Sequence, residues 1–328
     1  MSLNVGVLGA GFIGRIHALN LKRDPRVRLV GIADIVPDRA ARLAREVETP
    51  AFDTLAALID AGAAAVFVCT PNVRHVEPVT TALGAGLHVF SEKPMATTLH
   101  DAQTILNAAR GAKGIYQIGF NRRFSHVYRF ARERIENGRL VPRLAQMKHN
   151  RGELQQPPWT GDATVTGGFL YETPVHLFDM ARFLFGEVRE VAGVARQSAY
   201  DELDGFALLL TFHSGVVATV TSVAHASWLF PSERIEIYGL HSALVTEELE
   251  RASFSPGARD QVEAIDCVQM PVDQKWGYVA EDRLFVEAAL GERAPAVGAE
   301  DGYHATELVE AAYRAVRGGR PVSLPLAD

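Results

Sequence analysis

The chain has 328 residues, 48% hydrophobic and 22% charged, the balance of an ordinary soluble globular protein with room for about two domains. A net charge of -6 argues against nucleic acid or an anionic membrane surface as a partner. No apolar run reaches the roughly 18 residues of a membrane span, and MSLNVGVLGAGF opens on a strand pattern without a basic n-region or cleavage site. The two cysteines, Cys69 and Cys267, lie far apart, and the eleven histidines form no HxxxH pair or Cys/His cluster. A reducing, cytoplasmic setting and no metal site are therefore expected.

The first 120 residues alternate apolar runs with helical patterns. The runs are LNVGVLGA (3–10), VRLVGIAD (27–34), AAVFVCT (64–70), GLHVFSE (86–92) and GIYQIGF (114–120). Runs apolar throughout suit strands covered on both faces, and their alternation with segments such as PDRAARLAREV (37–47) predicts a doubly wound parallel sheet. Beyond residue 121 the rhythm changes. After a helical stretch at 125–138, strand-like segments follow one another at 143–153, 188–197, 205–213, 216–225 and 234–240. LLLTFHSGVVATV carries Ser-Gly between two strands, a hairpin signal, and the closing YHATELVEAAYRAVRGGRPVSL reads as one amphipathic helix stopped by glycines. The expected architecture is an α/β Rossmann dinucleotide-binding domain (1–120) followed by an α+β domain (121–328) with a large, mostly antiparallel sheet. The C-terminal helix is free to pack back on the first domain.

The first strand runs into GAGFIG. Gly9, Gly11 and Gly14 form G-x-G-x-x-G, with Phe12 and Ile13 inside the turn. Such glycines allow a tight turn, close approach of a pyrophosphate and close helix–strand packing, and the following helix offers free N–H groups and a positive dipole end. Asp34 closes the second strand, where a carboxylate can bind ribose hydroxyls and repel a 2′-phosphate. With Ile35 next to it, NAD(H) is favoured over NADP(H), and Arg39, close by, keeps NADP(H) as the second choice. Further pieces sit at the carboxyl ends of later strands, where open α/β sheets bind ligands: Thr70, Pro71 and Asn72, with His75 on the next helix, then Glu92 and Lys93 in SEKPMA.

GGFLYETPVHLFDMARFLFG (167–186) reads as a helix, apolar except for Glu172, His176 and Asp179, a single stripe at i, i+4 and i+7. The bland reading makes His176 a core histidine with Asp179 as its partner. The other makes His176 functional; in either case Thr173-Pro174 can start the helix and leave Glu172 just outside it, still near His176.

GAGFIG, Asp34, TPN with His75, AGLHVFSEKP and GGFLYETPVHLFD occur in order and at typical separations, and together resemble the Gfo/Idh/MocA family of NAD(P)-dependent oxidoreductases. The resemblance covers nearly the whole chain. It implies that Lys93 and His176 are catalytic and that Glu172 stands where the family usually has aspartate. It also makes Asn121 and Arg122 candidates for lining a substrate pocket. KHNRGE (148–153) and QQPPW (155–159) are expected as a sheet edge and loop facing that pocket, with His149, Arg151 and Trp159 as substrate contacts. Trp159 would stack on a sugar face, whereas Arg122, His149 and Arg151 together would suit an acidic sugar such as a uronate. The implied reaction passes hydride between nicotinamide and a secondary alcohol of a sugar, cyclitol or sugar acid, with His176 as proton acceptor and Lys93 beside the developing oxyanion. Two alternatives stay open: glycoside cleavage by transient oxidation and elimination on a retained NAD, and a non-catalytic NAD-responsive binding protein. A homodimer or homotetramer is expected.

Overall fold

The computed structural model describes residues 2–153, 158–227 and 232–327. Six parallel strands open the chain: β1 Leu3–Leu8, β2 Val27–Ala33, β3 Ala51–Phe52, β4 Ala65–Val68, β5 His88–Glu92 and β6 Tyr116–Gly119. Their order in the sheet is β3-β2-β1-β4-β5-β6, so the chain reverses direction across the sheet between β1 and β4. That is the doubly wound arrangement that continuous apolar runs predict, and its switch point lies at the carboxyl ends of β1 and β4. β4 is buried at every position, and β1 at all but one. The helix Phe12–Arg23 turns Gly14, His17, Ala18 and Leu21 inward, the spacing of a single helical face.

Two compact units divide the chain: Met1–Asn121 with Tyr278–Tyr303, and Arg122–Gly277 with His304–Asp328. Residues 278–303 thus belong with the parallel sheet, although a single boundary near residue 120 assigns them to the second domain. The packing gives the reason. Phe285, on the helix Tyr278–Ala289, meets Phe67 of β4 and Phe90 of β5 edge-on at 5.0 and 5.8 Å, while those two rings stack on each other at 4.5 Å. All three are fully buried.

The second unit holds a nine-stranded sheet: β7 Leu144–His149, β8 Val188–Arg196, β9 Gly205–Phe212, β10 Val217–Val223, β11 Glu233–Tyr238, β12 Ala243–Glu247, β13 Arg251–Ser255, β14 Glu263–Asp266 and β15 Val322–Ser323. The order is β14-β13-β12-β11-β7-β10-β9-β8-β15. Every pair is antiparallel except β7 with β10. β9, β10 and β11 alternate buried positions with exposed or half-buried ones, so one face of the sheet packs on the core. The Ser-Gly turn joins β9 to β10, with Gly215 at φ 88°. β7, taken from sequence for a sheet edge, lies in the interior between β11 and β10, because β11 to β14 extend the sheet beyond it.

The apolar stretch at 167–186 is not one helix. It forms Phe169–Glu172 and Val175–Phe185, broken at Thr173-Pro174, since proline lacks the N–H a continuing helix needs and crowds the residue before it. Glu172 therefore falls outside the helix of His176 and Asp179. Asp179 accepts a forked pair of hydrogen bonds from Arg123, at 2.6 and 2.9 Å. This buried pair ties the turn Asn121–Phe124 to the helix Val175–Phe185. Arg123→Met should cost the second unit about 3–5 kcal/mol by stranding a buried carboxylate, and adding Asp179→Leu should recover most of it. Urea unfolding of both variants measures the difference.

Candidate active site

β1 hands the chain to Gly9 at φ 103°, where a side chain would be strained and its Cβ would collide with the carbonyl oxygen of Cys69 beyond β4. A Cβ on Gly14 would strike the carbonyl of Gly9, so these two glycines are needed for packing. Gly11 differs: a Cβ there would meet nothing within 4 Å. It precedes a helix with no side-chain cap and no acidic residue in its first turn. Open backbone at the bare N-terminus of a helix suits a pyrophosphate, so the residues present fit a dinucleotide. Phe12 and Ile35 are 80% and 90% exposed beside this turn, whereas Ile13 packs against the core.

Asp34 works within the protein first. Its Oδ2 accepts from the amide of Ala10 and its Oδ1 from that of Val36, both at 2.8 Å, so one carboxylate braces the glycine turn and its own. Each oxygen retains a lone pair for a ribose hydroxyl.

At the end of β4, the Thr70 hydroxyl donates to the carbonyl of Arg74, and the buried Asn72 starts a short 3-10 turn. His75, expected to touch a cofactor, is fully buried. Its Nδ1 lies 2.8 Å from the carbonyl oxygen of Pro94 and its Nε2 2.9 Å from that of Thr70. Its ring has no face to offer a ligand and instead joins the ends of β4 and β5.

At the end of β5, Glu92 is buried; the next residue, Lys93, is half-buried, and the Lys93–Pro94 bond is cis. Glu92 Oε1 accepts from Nε2 of His17 at 3.1 Å, and Oε2 from the backbone N–H of Lys93 at 3.0 Å. The other nitrogen of His17, Nδ1, donates to Asp282 at 2.6 Å, and Asn20 donates to the remaining oxygen of Asp282 at 2.9 Å. Three rings, Phe67, Phe90 and Tyr278, enclose the imidazole. Burial alone would lower the pKa of His17, but Asp282 and then Glu92 outweigh it and lift it to about 10, so both ring nitrogens carry protons. Neither His17 nor Asp282 is visible as a site residue in the sequence. The signal available was a histidine on the buried face of a glycine-turn helix.

In the second unit, Arg122 donates to Glu233 at 2.8 Å, Tyr128 adds its hydroxyl at 2.6 Å, and Nε2 of His149 lies 3.5 Å away. Glu233 is fully buried; burial pushes its pKa up, but Arg122 and His149 hold it below the ordinary carboxylate value. Arg151 donates to Thr173 and Thr160 at 3.1 and 3.2 Å and faces Glu172 at 3.4 Å. It thereby holds the helix break just before His176. The rings of His176 and His149 lie 6.5 Å apart. Asn121 is buried at the start of its turn, and Trp159 is 42% exposed. Residues 155–157 of the QQPPW segment lie outside the described residues. Sequence reasoning missed Glu233, Tyr128, Thr160 and Thr173. Among the described residues no group of His, Cys, Asp or Glu could hold a metal ion, and no helix is long and apolar enough to cross a membrane.

The His17 pKa has a sign. It is raised above the unfolded value near 6.5, so its contribution to stability is complete below that pH and is lost as pH rises toward about 10. Cys69, Tyr278 and Glu281 are other titratable groups close by, and burial, then Glu92, Asp282 and Glu281, keep the Cys69 thiol protonated. Unfolding free energies from urea titrations should fall between pH 7 and 10 by at most about 1.4 kcal/mol per pH unit more than in His17→Gln. The glycine turn makes a separable prediction. Gly9→Ala should lower the melting temperature, whereas Gly11→Ala should keep it and weaken NAD binding, as calorimetry would show.

Two family models match the chain. One, described as an oxidoreductase family with an NAD-binding Rossmann fold, covers residues 3–120; the other, the C-terminal α/β domain of that family, covers 132–324. Myo-inositol 2-dehydrogenase of Thermotoga maritima is 28% identical, with 98% of each chain covered. The NAD(+)-linked scyllo-inositol 2-dehydrogenase of Bacillus subtilis is 27% identical over 97% of this chain and 95% of its own. The crystal structure of aldose-aldose oxidoreductase from Caulobacter crescentus, complexed with glycerol, superimposes with a TM-score of 0.88 at 25% identity, covering 99% of this chain and all of that one. The chain belongs to the Gfo/Idh/MocA oxidoreductase family, and its first unit is the NAD-binding domain of that family.

Proposed function

We propose that this protein oxidises a secondary hydroxyl of a neutral polyol, a cyclitol or sugar, to the ketone or lactone, with NAD as the hydride acceptor, and catalyses the reverse reduction. The observation that carries the neutral substrate is the pairing of charge in the second unit. Arg122 meets Glu233, Arg123 meets Asp179 and Arg151 meets Glu172: three guanidiniums opposite three carboxylates. A uronate would need positive charge that these carboxylates already neutralise. Relatives named for inositols agree with a neutral polyol.

NAD, when bound, supplies the ring that takes up the hydride. The work of the chain is to remove one proton and stabilise one oxygen. As the C–H electron pair leaves with its hydrogen, the hydroxyl oxygen gains negative charge and sheds its proton. His176 accepts that proton, and the Lys93 ammonium stabilises the oxygen until the carbonyl forms. Glu172, held by Arg151 and seated beside Thr173, accepts from a second substrate hydroxyl and fixes which carbon faces the cofactor. Its extra methylene, relative to the family's usual aspartate, is matched by a guanidinium reaching it from the end of β7. Asn121 and Trp159 complete the proposed substrate contacts.

Inositols, neutral aldoses and sugar acids, offered with NAD and NADP in parallel, test this reading through the rate of NADH or NADPH formation. Neutral polyols with NAD should be turned over fastest. Preference for sugar acids, or release of an aglycone without net NAD reduction, would overturn it. Lys93→Met and His176→Ala should each lower kcat by roughly 10²–10⁴-fold while NAD still binds.

A further inference from the structure

The proposed role of Lys93 requires its ammonium to be aimed, and a half-buried lysine on a strand-to-loop turn has four side-chain torsions with which to miss. What holds the turn lies behind it. Glu92 and Pro94 flank Lys93, and each lies against a buried imidazole: Glu92 accepts from His17, and the carbonyl oxygen of Pro94 lies 2.8 Å from Nδ1 of His75. The Glu92 carboxylate uses its two oxygens differently, one toward Nε2 of His17 and the other toward the amide of Lys93 itself.

We propose that His17 is a positioning residue for Lys93, acting through Glu92: Nε2 of His17 anchors one carboxylate oxygen and so aims the other at the Lys93 backbone N–H. This rests on the reading of Lys93 as the oxyanion-stabilising group. The geometry gives the reason. Glu92 and Asp282 are both buried and separated by a single imidazole. Without Nε2 of His17 to hold Oε1, the Glu92 carboxylate is no longer fixed in orientation, and the Lys93 amide loses its partner. That amide sets the backbone torsion from which the lysine side chain departs. The same helix, Phe12–Arg23, opens at the glycine turn, so one element presents its N-terminus to the pyrophosphate and steadies the turn that carries Lys93.

An amide isostere exposes this division of labour. Glutamine at position 92 offers one acceptor and one donor, so it can satisfy His17 or the Lys93 amide but not both. Glu92→Gln leaves the His17–Asp282 pair in place and so keeps its share of the folding energy. The full-length protein is reductively methylated with carbon-13, and the dimethyl-lysine resonance of Lys93 is assigned by its loss in Lys93→Arg. Glu92→Gln and His17→Gln should shift or broaden that resonance and leave the Lys113 signal in place. With NAD and myo-inositol, or another polyol turned over by the parent protein, kcat should fall roughly 10–100-fold, the cost of a misplacement on the order of 1 Å. The KM for NAD should stay within about twofold, because cofactor binding does not depend on where the lysine points. An unmoved Lys93 resonance with unchanged kcat in Glu92→Gln overturns the proposal, and that variant decides alone if His17→Gln does not fold. Lys93→Met separates the two ideas. Full turnover in Lys93→Met sinks the role of Lys93, whereas its loss there with normal turnover in Glu92→Gln sinks only the positioning by His17.

Discussion

A positive charge buried between two carboxylates is expensive to assemble and more expensive to disturb, and the first unit is organised around one. His17, Glu92 and Asp282 come from a helix, a strand end and a second helix that enters from residue 278 onward. Removing any member leaves a desolvated charge without its complement. All four carboxylate oxygens of the trio have a donor: His17 twice, Asn20 and the amide of Lys93. Such a set admits one arrangement of the three segments. It explains why residues 278–303 belong with the parallel sheet despite their distance along the chain, and why the turn after β5 has a defined shape.

Much of this fold was legible, for a reason that also marks the limit. Five of the six parallel strands are continuous apolar runs, and β8 to β11 alternate or run apolar long enough to be read. β3 and β15 have two residues each, too few for any pattern. β12, β13 and β14, reading ALVTE, RASFS and EAID, mix small and charged residues because only one of their faces is covered. Nothing local in YVAEDRLFVEAA says which sheet it will meet; its phenylalanine is explained only by Phe67 and Phe90. The break at Thr173-Pro174 was readable, and the apolar run on either side hid it.

The site divides along the same line. Gly9, Gly11, Gly14 and Asp34 are legible because a single turn and its neighbouring strand end contain their whole geometry. Arg122, His149 and Arg151 are not, since their meaning depends on partners elsewhere. Read alone they suggest an anion site. Glu233, 111 residues beyond Arg122, and Glu172, 21 beyond Arg151, turn them into braces. His75 shows the same effect without charge: burial lowers its pKa, and the single N–H of the neutral ring goes to one of two backbone carbonyls that sequence cannot place.

Both units therefore spend most of their buried ionic groups on geometry. Histidine, arginine and carboxylate neutralise one another at turns and helix breaks, next to the residues assigned to chemistry: Glu92 beside Lys93, and Glu172 with Thr173 shortly before His176. This has a consequence for the reaction proposed. Alcohol oxidation moves one proton and places transient negative charge on one oxygen, and fixed, mutually neutralised pairs respond little to either event. In the proposed reaction the response is assigned to a lysine and a histidine next to those pairs. A mobile ionic lining would instead reorganise with each turnover and give back part of the stabilisation. Local neutrality around rigid turns is an arrangement that suits the proposed hydride transfer from an uncharged substrate.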